Sequence, residues 1–152
     1  MKKTITFIFV IVMSFVLSAC PPSQVRKADA YVEGAKTFVK QFNEEYPNIA
    51  NLINSACKDK LINEESCSTF AKVDPLVLKG ALALEEALKQ YQEAINQYEA
   101  LVKVGASETE TEAAWSKVSA TVSVVIGKMS EITSLYFQVL SIYSQAKAIP
   151  VK

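Results

Sequence analysis

The chain has 152 residues, 50% hydrophobic and 21% charged, with 16 basic and 16 acidic side chains and no histidine. A length near 150 fits one domain with a modest core of its own. The missing histidines exclude His-based triads, imidazole acid–base chemistry and His-ligated metal sites. Zero net charge argues against a nucleic-acid binder, which needs a basic face to offset phosphates. Taken from the start, Met1-Lys2-Lys3 is a short basic leader, and residues 5–17 form an apolar run. That run has the length of a signal-peptide core and is too short to span a bilayer as a stable helix.

The run ends in Leu17-Ser18-Ala19-Cys20. Small residues at 18 and 19 before a cysteine, with Leu17 three positions back, resemble the lipobox of bacterial lipoproteins. The resemblance covers residues 1–20 and implies cleavage before Cys20, a diacylglyceryl group on its thiol and an acyl group on the new amino terminus. An ordinary secretory signal with a chance cysteine is the alternative. In the lipoprotein family an Asp directly after the cysteine retains the protein in the inner membrane of Gram-negative cells. Pro21 stands there instead, so the resemblance implies the outer membrane, on its periplasmic or surface side. The expected organisation is a cleaved signal over 1–19, a lipidated anchor and linker over 20–24, a helical bundle over 25–147 and a tail over 148–152. Loss of Lys2 and Lys3 leaves a 133-residue chain with 14 basic and 16 acidic side chains, a charge of about −2.

The mature chain reads as helix almost throughout. Val25, Ala28, Val32, Ala35, Val39, Phe42 and Tyr46 alternate in gaps of three and four, and Ile49, Ile53 and Ala56 keep the register. Pro47 predicts a kink or break there. Cys57 and Cys67 follow. In an oxidising compartment a disulfide between them is the default reading, stapling a short helical corner over 57–73. A redox-active pair would want Cys-x-x-Cys spacing, which is absent.

Asp74-Pro75 has the form of an N-cap and first helical residue, so a second long helix is expected over 75–104. Its seam is Val77, Ala81, Leu84, Leu88, Tyr91, Ile95, Tyr98 and Val102. Gly105 is a helix stop, and Ser107-Glu108-Thr109-Glu110 is a capping box. A third helix over 108–147 carries Trp115, Val118, Val122, Val125, Met129, Ile132, Tyr136, Val139, Tyr143 and Ala146. The fold class is therefore all-α: an antiparallel bundle of three long helices with coiled-coil-like seams.

The last helix carries only Lys117, Lys128 and Glu131 as charges between Ala113 and Ala146. Beside its seam runs a second stripe of small residues, Ser116, Ala120, Ser123, Gly127, Ser130 and Ser134. Small residues let another helix approach closely. The expected occupant is another helix of the same chain. A partner or a second copy is the alternative, because three helices cannot fully surround any one of them.

Catalysis finds no support in the residues. Glu44-Glu45, Glu64-Glu65 and Glu85-Glu86 are adjacent pairs, which splay by about 100° on a helix. The glycines at 34, 80, 105 and 127 are isolated, so no phosphate-cradling loop exists. The sequence points to a non-catalytic envelope lipoprotein working by protein–protein contact, as an accessory subunit, a scaffold or a surface-blocking protein of the exclusion kind. The different-class alternative is a carrier of an apolar ligand or lipid between the helices. No metal or cofactor beyond the lipid on Cys20 is expected. An up–down–up topology would turn Gly105 toward the lipid, where the acidic residues after it make a poor inserter. Asn48, Asn51, Asn54, Lys58 and Lys60 would then lie at the far, presenting end.

Overall fold

A computed structural model describes residues 21–148. Segment 1–20, on which the expected signal and Cys20 fall, and residues 149–152 of the expected tail lie outside the described residues. Three helices follow one another: α1 (Pro21–Lys58), α2 (Glu64–Lys103) and α3 (Glu108–Lys147). No strand occurs among the described residues. The all-α bundle is as the seams predict. α2 and α3 share the longest contact, and α1 lies against both.

The heptad positions form the core. Of the α1 seam, Ala28, Val32, Ala35, Val39, Phe42, Tyr46, Ile49, Ile53 and Ala56 are all buried. On α3 the row Val118, Val125, Ile132 and Val139 is fully buried, while Trp115, Val122, Met129, Tyr136 and Tyr143 are packed against the core at partial burial. α2 buries the widest face. Beside Val77, Ala81, Leu84, Leu88, Tyr91 and Ile95 it buries a further row of Val73, Gly80, Ala87 and Ala94. α2 thus has twelve buried residues and α3 seven, so the helix with the fewest charges is not the most covered one.

Helix boundaries differ from the sequence reading in three places, the first being α1, which begins at Pro21 where a linker to 24 is expected. α2 begins at Glu64, capped by Asn63, whose side-chain oxygen accepts from the Ser66 N–H at 2.7 Å. Asp74-Pro75 is therefore not a helix start, and the corner shrinks from 57–73 to 59–63. Phe70, Val73 and Val77 all bury against the other helices, and this burial outweighs the roughly 3 kcal/mol cost of an internal proline. α1 likewise runs through Pro47 without interruption. Both prolines are exposed, as are Asn43 and Ala71, whose carbonyls lose their helical donors. Water can take the donors' place there.

The turns are closed by backbone geometry. Val104 caps α2, Gly105 sits at φ 67°, and the Gly105 and Ala106 N–H groups donate to the Val102 and Leu101 carbonyls. This is a Schellman motif, with glycine where a left-handed residue is required. The Ser107–Glu110 capping box then starts α3, as its sequence indicates. Lys60, at φ 54°, closes α1 in the same way, its N–H donating to Cys57 and the Leu61 N–H to Ala56. Cys57 and Cys67 are disulfide-bonded across this corner, with Cα atoms 5.7 Å apart.

Ile132→Ala should cost about 2–5 kcal/mol in urea unfolding. Leu82→Ala, at a site 67% exposed, should stay within about 0.5 kcal/mol. The double variant Cys57→Ser/Cys67→Ser should lose somewhat under ~3 kcal/mol in the same assay, since the closed loop is short.

Candidate functional site

Inter-helix contacts set the topology. Tyr46 donates its hydroxyl to Asp74 Oδ1 at 2.6 Å, and Tyr91 donates to Asp29 Oδ1 at 2.7 Å. These pairings make α1 and α2 antiparallel. Tyr98 meets Trp115 at 5.3 Å between ring centroids, and Ser66 and Gln145 are hydrogen-bonded at 3.0 Å. α3 is thus antiparallel to α2 and parallel to α1. One end holds the start of α1 and the α2–α3 turn. The other holds the 59–63 corner, the disulfide and the end of α3.

The seam tyrosines are core residues with polar ends. Phe38, Phe42 and Tyr46 of α1 gather around Tyr136 of α3, with centroid separations of 5.7–6.1 Å to that ring. Phe42 and Tyr46 stack at 4.5 Å. Burial first, then the Asp74 hydrogen bond and charge, push the Tyr46 hydroxyl well above the usual phenol range. Tyr91 is raised in the same way, by burial and then by Asp29. Tyr136 is pushed up to about 12, first by burial and then by the charge of Glu45. No polar side-chain atom among the described residues is buried without a partner. No cluster of potential metal ligands occurs among them either.

The small-residue stripe lies elsewhere. Ser116, Ala120, Ser123, Gly127, Ser130 and Ser134 are all exposed. A Cβ on Gly127 would meet nothing within 4 Å. The expectation that another helix of this chain covers the stripe is therefore not met. The reason is angular: the stripe sits about 170° around α3 from the Val118–Val139 row, at 100° per residue. The same outward face exposes Val124 and Phe137, 46% and 44% accessible, together with Ile126. Its charges are few, and two of them, Lys128 and Glu131, pair with each other at 2.9 Å.

A shallow hollow of about 250 Å³ opens between α1 and α3 near the α2–α3 turn, lined by Lys27, Ala28, Tyr31, Trp115, Ser119, Val122 and Ile126. At the opposite end Asn48, Asn51, Asn54, Lys58 and Lys60 are all exposed. Val102, read from its spacing as a seam residue, is 53% exposed, and Val104 beside it is 76% exposed. The register explains this. With Asp29 beside Tyr91 and Asp74 beside Tyr46, Pro21 falls opposite Glu99, so no described residue of α1 lies over Val102. The available signal was two valines directly before a helix-stop glycine.

Comparison with known proteins finds no family model matching the chain, no similar curated protein and no similar solved structure.

The tyrosine geometry fixes an alkaline response. Each raised phenol keeps its proton longer in the folded state, so its contribution to stability is complete below pH 10. For Tyr136 it drains away as pH climbs from about 10 to about 12. Ultraviolet titration should show Tyr46, Tyr91 and Tyr136 ionising above the usual phenol range, and urea midpoints should fall over that interval. Ionisation of Tyr46, Tyr91 and Tyr136 near pH 10 in the folded protein would contradict the packing described.

Proposed function

We propose that this chain is a non-catalytic cell-envelope lipoprotein, anchored through acyl groups on Cys20, that works by protein–protein contact. The observation that carries the contact reading is the outward face of α3. It is long, almost free of charge, built from small side chains with Val124, Ile126 and Phe137 among them, and covered by no part of the described chain. Surface helices in globular proteins are normally polar on the face away from the core. Exposed small residues let a second helix backbone approach closely, and the occupant is an envelope protein or another copy of this chain. Accessory subunit, scaffold and surface-blocking protein are the roles that suit such a device.

The anchor reading draws on Lys2-Lys3, the apolar run 5–17 and Leu17-Ser18-Ala19-Cys20. Several acyl chains on one residue give firm attachment, whereas a single chain is marginal. No helix among the described residues is long and apolar enough to cross a membrane. With Pro21 after the cysteine, the outer membrane of a Gram-negative envelope is the favoured address.

The carrier reading has one feature in its favour, the hollow between α1 and α3 beside Trp115. Its volume of about 250 Å³ falls below the ~300 Å³ lower end of small-molecule pockets. The contact reading is therefore preferred.

Two variants separate the parts of this proposal. Cys20→Ala should move the protein from the membrane fraction to the soluble fraction; continued sedimentation with membranes would refute the lipid anchor. Gly127→Leu adds bulk where nothing stands, so urea stability should hold or rise by about 1 kcal/mol through helix propensity. In native mass spectra of detergent-extracted protein, the wild type should carry a second protein chain that Gly127→Leu lacks. Bound lipid in place of a protein chain would favour the carrier, and a bare monomer would sink both.

A further inference from the structure

We infer that the α2–α3 turn, residues 102–106, is a second and non-covalent membrane contact that rests in the headgroup layer of a zwitterionic bilayer and holds the bundle upright. The inference rests on the lipid-anchor reading above and deepens it. Its basis is how soon after Cys20 the first helix begins. α1 starts at Pro21, the residue next in sequence to Cys20, so in the anchored chain the helix follows the acylated residue directly. One residue spans about 3.8 Å, too little to lift the bundle clear of its anchor.

The turn reaches past that anchor. The Tyr91–Asp29 and Tyr46–Asp74 pairings put Pro21 level with Glu99, and Gly105 lies six residues further along the same direction. At 1.5 Å per helical residue this is about 9 Å beyond the start of α1. Each interfacial layer of a bilayer is roughly 5–8 Å thick, from a hydrocarbon core of about 30 Å within a total of about 40–45 Å. With Cys20 held at the surface by its lipid and α1 near the membrane normal, the turn must enter that layer.

What enters is suited to it. Val102 and Val104 are exposed at 53% and 76%, with Lys103 between them and Gly105 and Ala106 following. The Schellman bonds satisfy the turn's amide groups internally, so no backbone donor there needs water. Glu108, Glu110 and Glu112 are exposed just behind the tip. They limit the depth to the headgroups and favour a zwitterionic surface over an anionic one, on which their charges would be repelled.

The test uses the full lipidated chain, purified from a membrane-containing host and reconstituted into phosphatidylcholine vesicles. Single cysteines are introduced by Val104→Cys at the turn, by Val102→Cys as a second probe of it, and by Ser144→Cys at the far end. Each carries an environment-sensitive fluorophore. With the vesicles floating in a density gradient, the 102 and 104 probes should be blue-shifted and quenched by headgroup-labelled lipid, and the 144 probe should match free solution. Flotation with the 102 and 104 probes as aqueous as 144 overturns the membrane contact and leaves the anchor standing. Quenching at 144 as well means a bundle lying flat, which also overturns it. Failure to float removes the anchor reading, and this inference with it.

Discussion

One row of side chains determines how the rest of the bundle is arranged. Val118, Val125, Ile132 and Val139 recur every seven residues on α3 and are closed off from solvent along more than five helical turns. A row can be dry on both flanks only when a helix lies on each side of it. α2 comes close enough that a Cβ on Gly80 would stand 3.5 Å from the Ile132 side chain. α1 is held on the other flank by Phe38, Phe42 and Tyr46 around Tyr136. Choosing this row as the inner one settles the outer one by the helical period. The core and the exposed stripe are two readings of one rotation angle.

Seams were the most legible part of the sequence. A repeat of three and four residues states which face is apolar, and every α1 position so identified with a described side chain is buried. Three features were less legible, for separate reasons. Asp74-Pro75 is a strong local start signal, but Phe70 and Val73 before it and Val77 after it belong to one continuous buried face, and burial overrides the local preference. The extra α2 row of Val73, Gly80, Ala87 and Ala94 is hard to see because a helix flanked on two sides buries three rows, while a heptad reading selects two. Val102 continues the α2 period faithfully, yet periodicity cannot say which residues of a neighbouring helix lie level with it.

The stripe on α3 shows the same limit from the functional side. Spacing identifies Ser116 to Ser134 as a surface that tolerates close approach, but not what approaches it. That depends on which row faces α1 and α2, a tertiary fact. The polar ties are similar. Tyr46 and Tyr91 sit at apolar seam positions, and only the assembled bundle reveals that Asp74 and Asp29 stand across from their hydroxyls. The tied residues are 28 and 62 positions apart in sequence, and each tie fixes the axial register of α1 against α2, which apolar packing alone leaves free to slip by a heptad.

Register and helix count together make the molecule a ruler. Because the described residues form an odd number of long helices, they leave the bundle at the end opposite the one they entered, and Lys147 stands a full helix away from Pro21. For 38 helical residues that separation is about 57 Å. Anything joined beyond α3 is held at that distance from the start of α1, and the distance changes only if all three helices lengthen by matching heptads. An even number of helices would have returned the chain to its starting level and measured nothing.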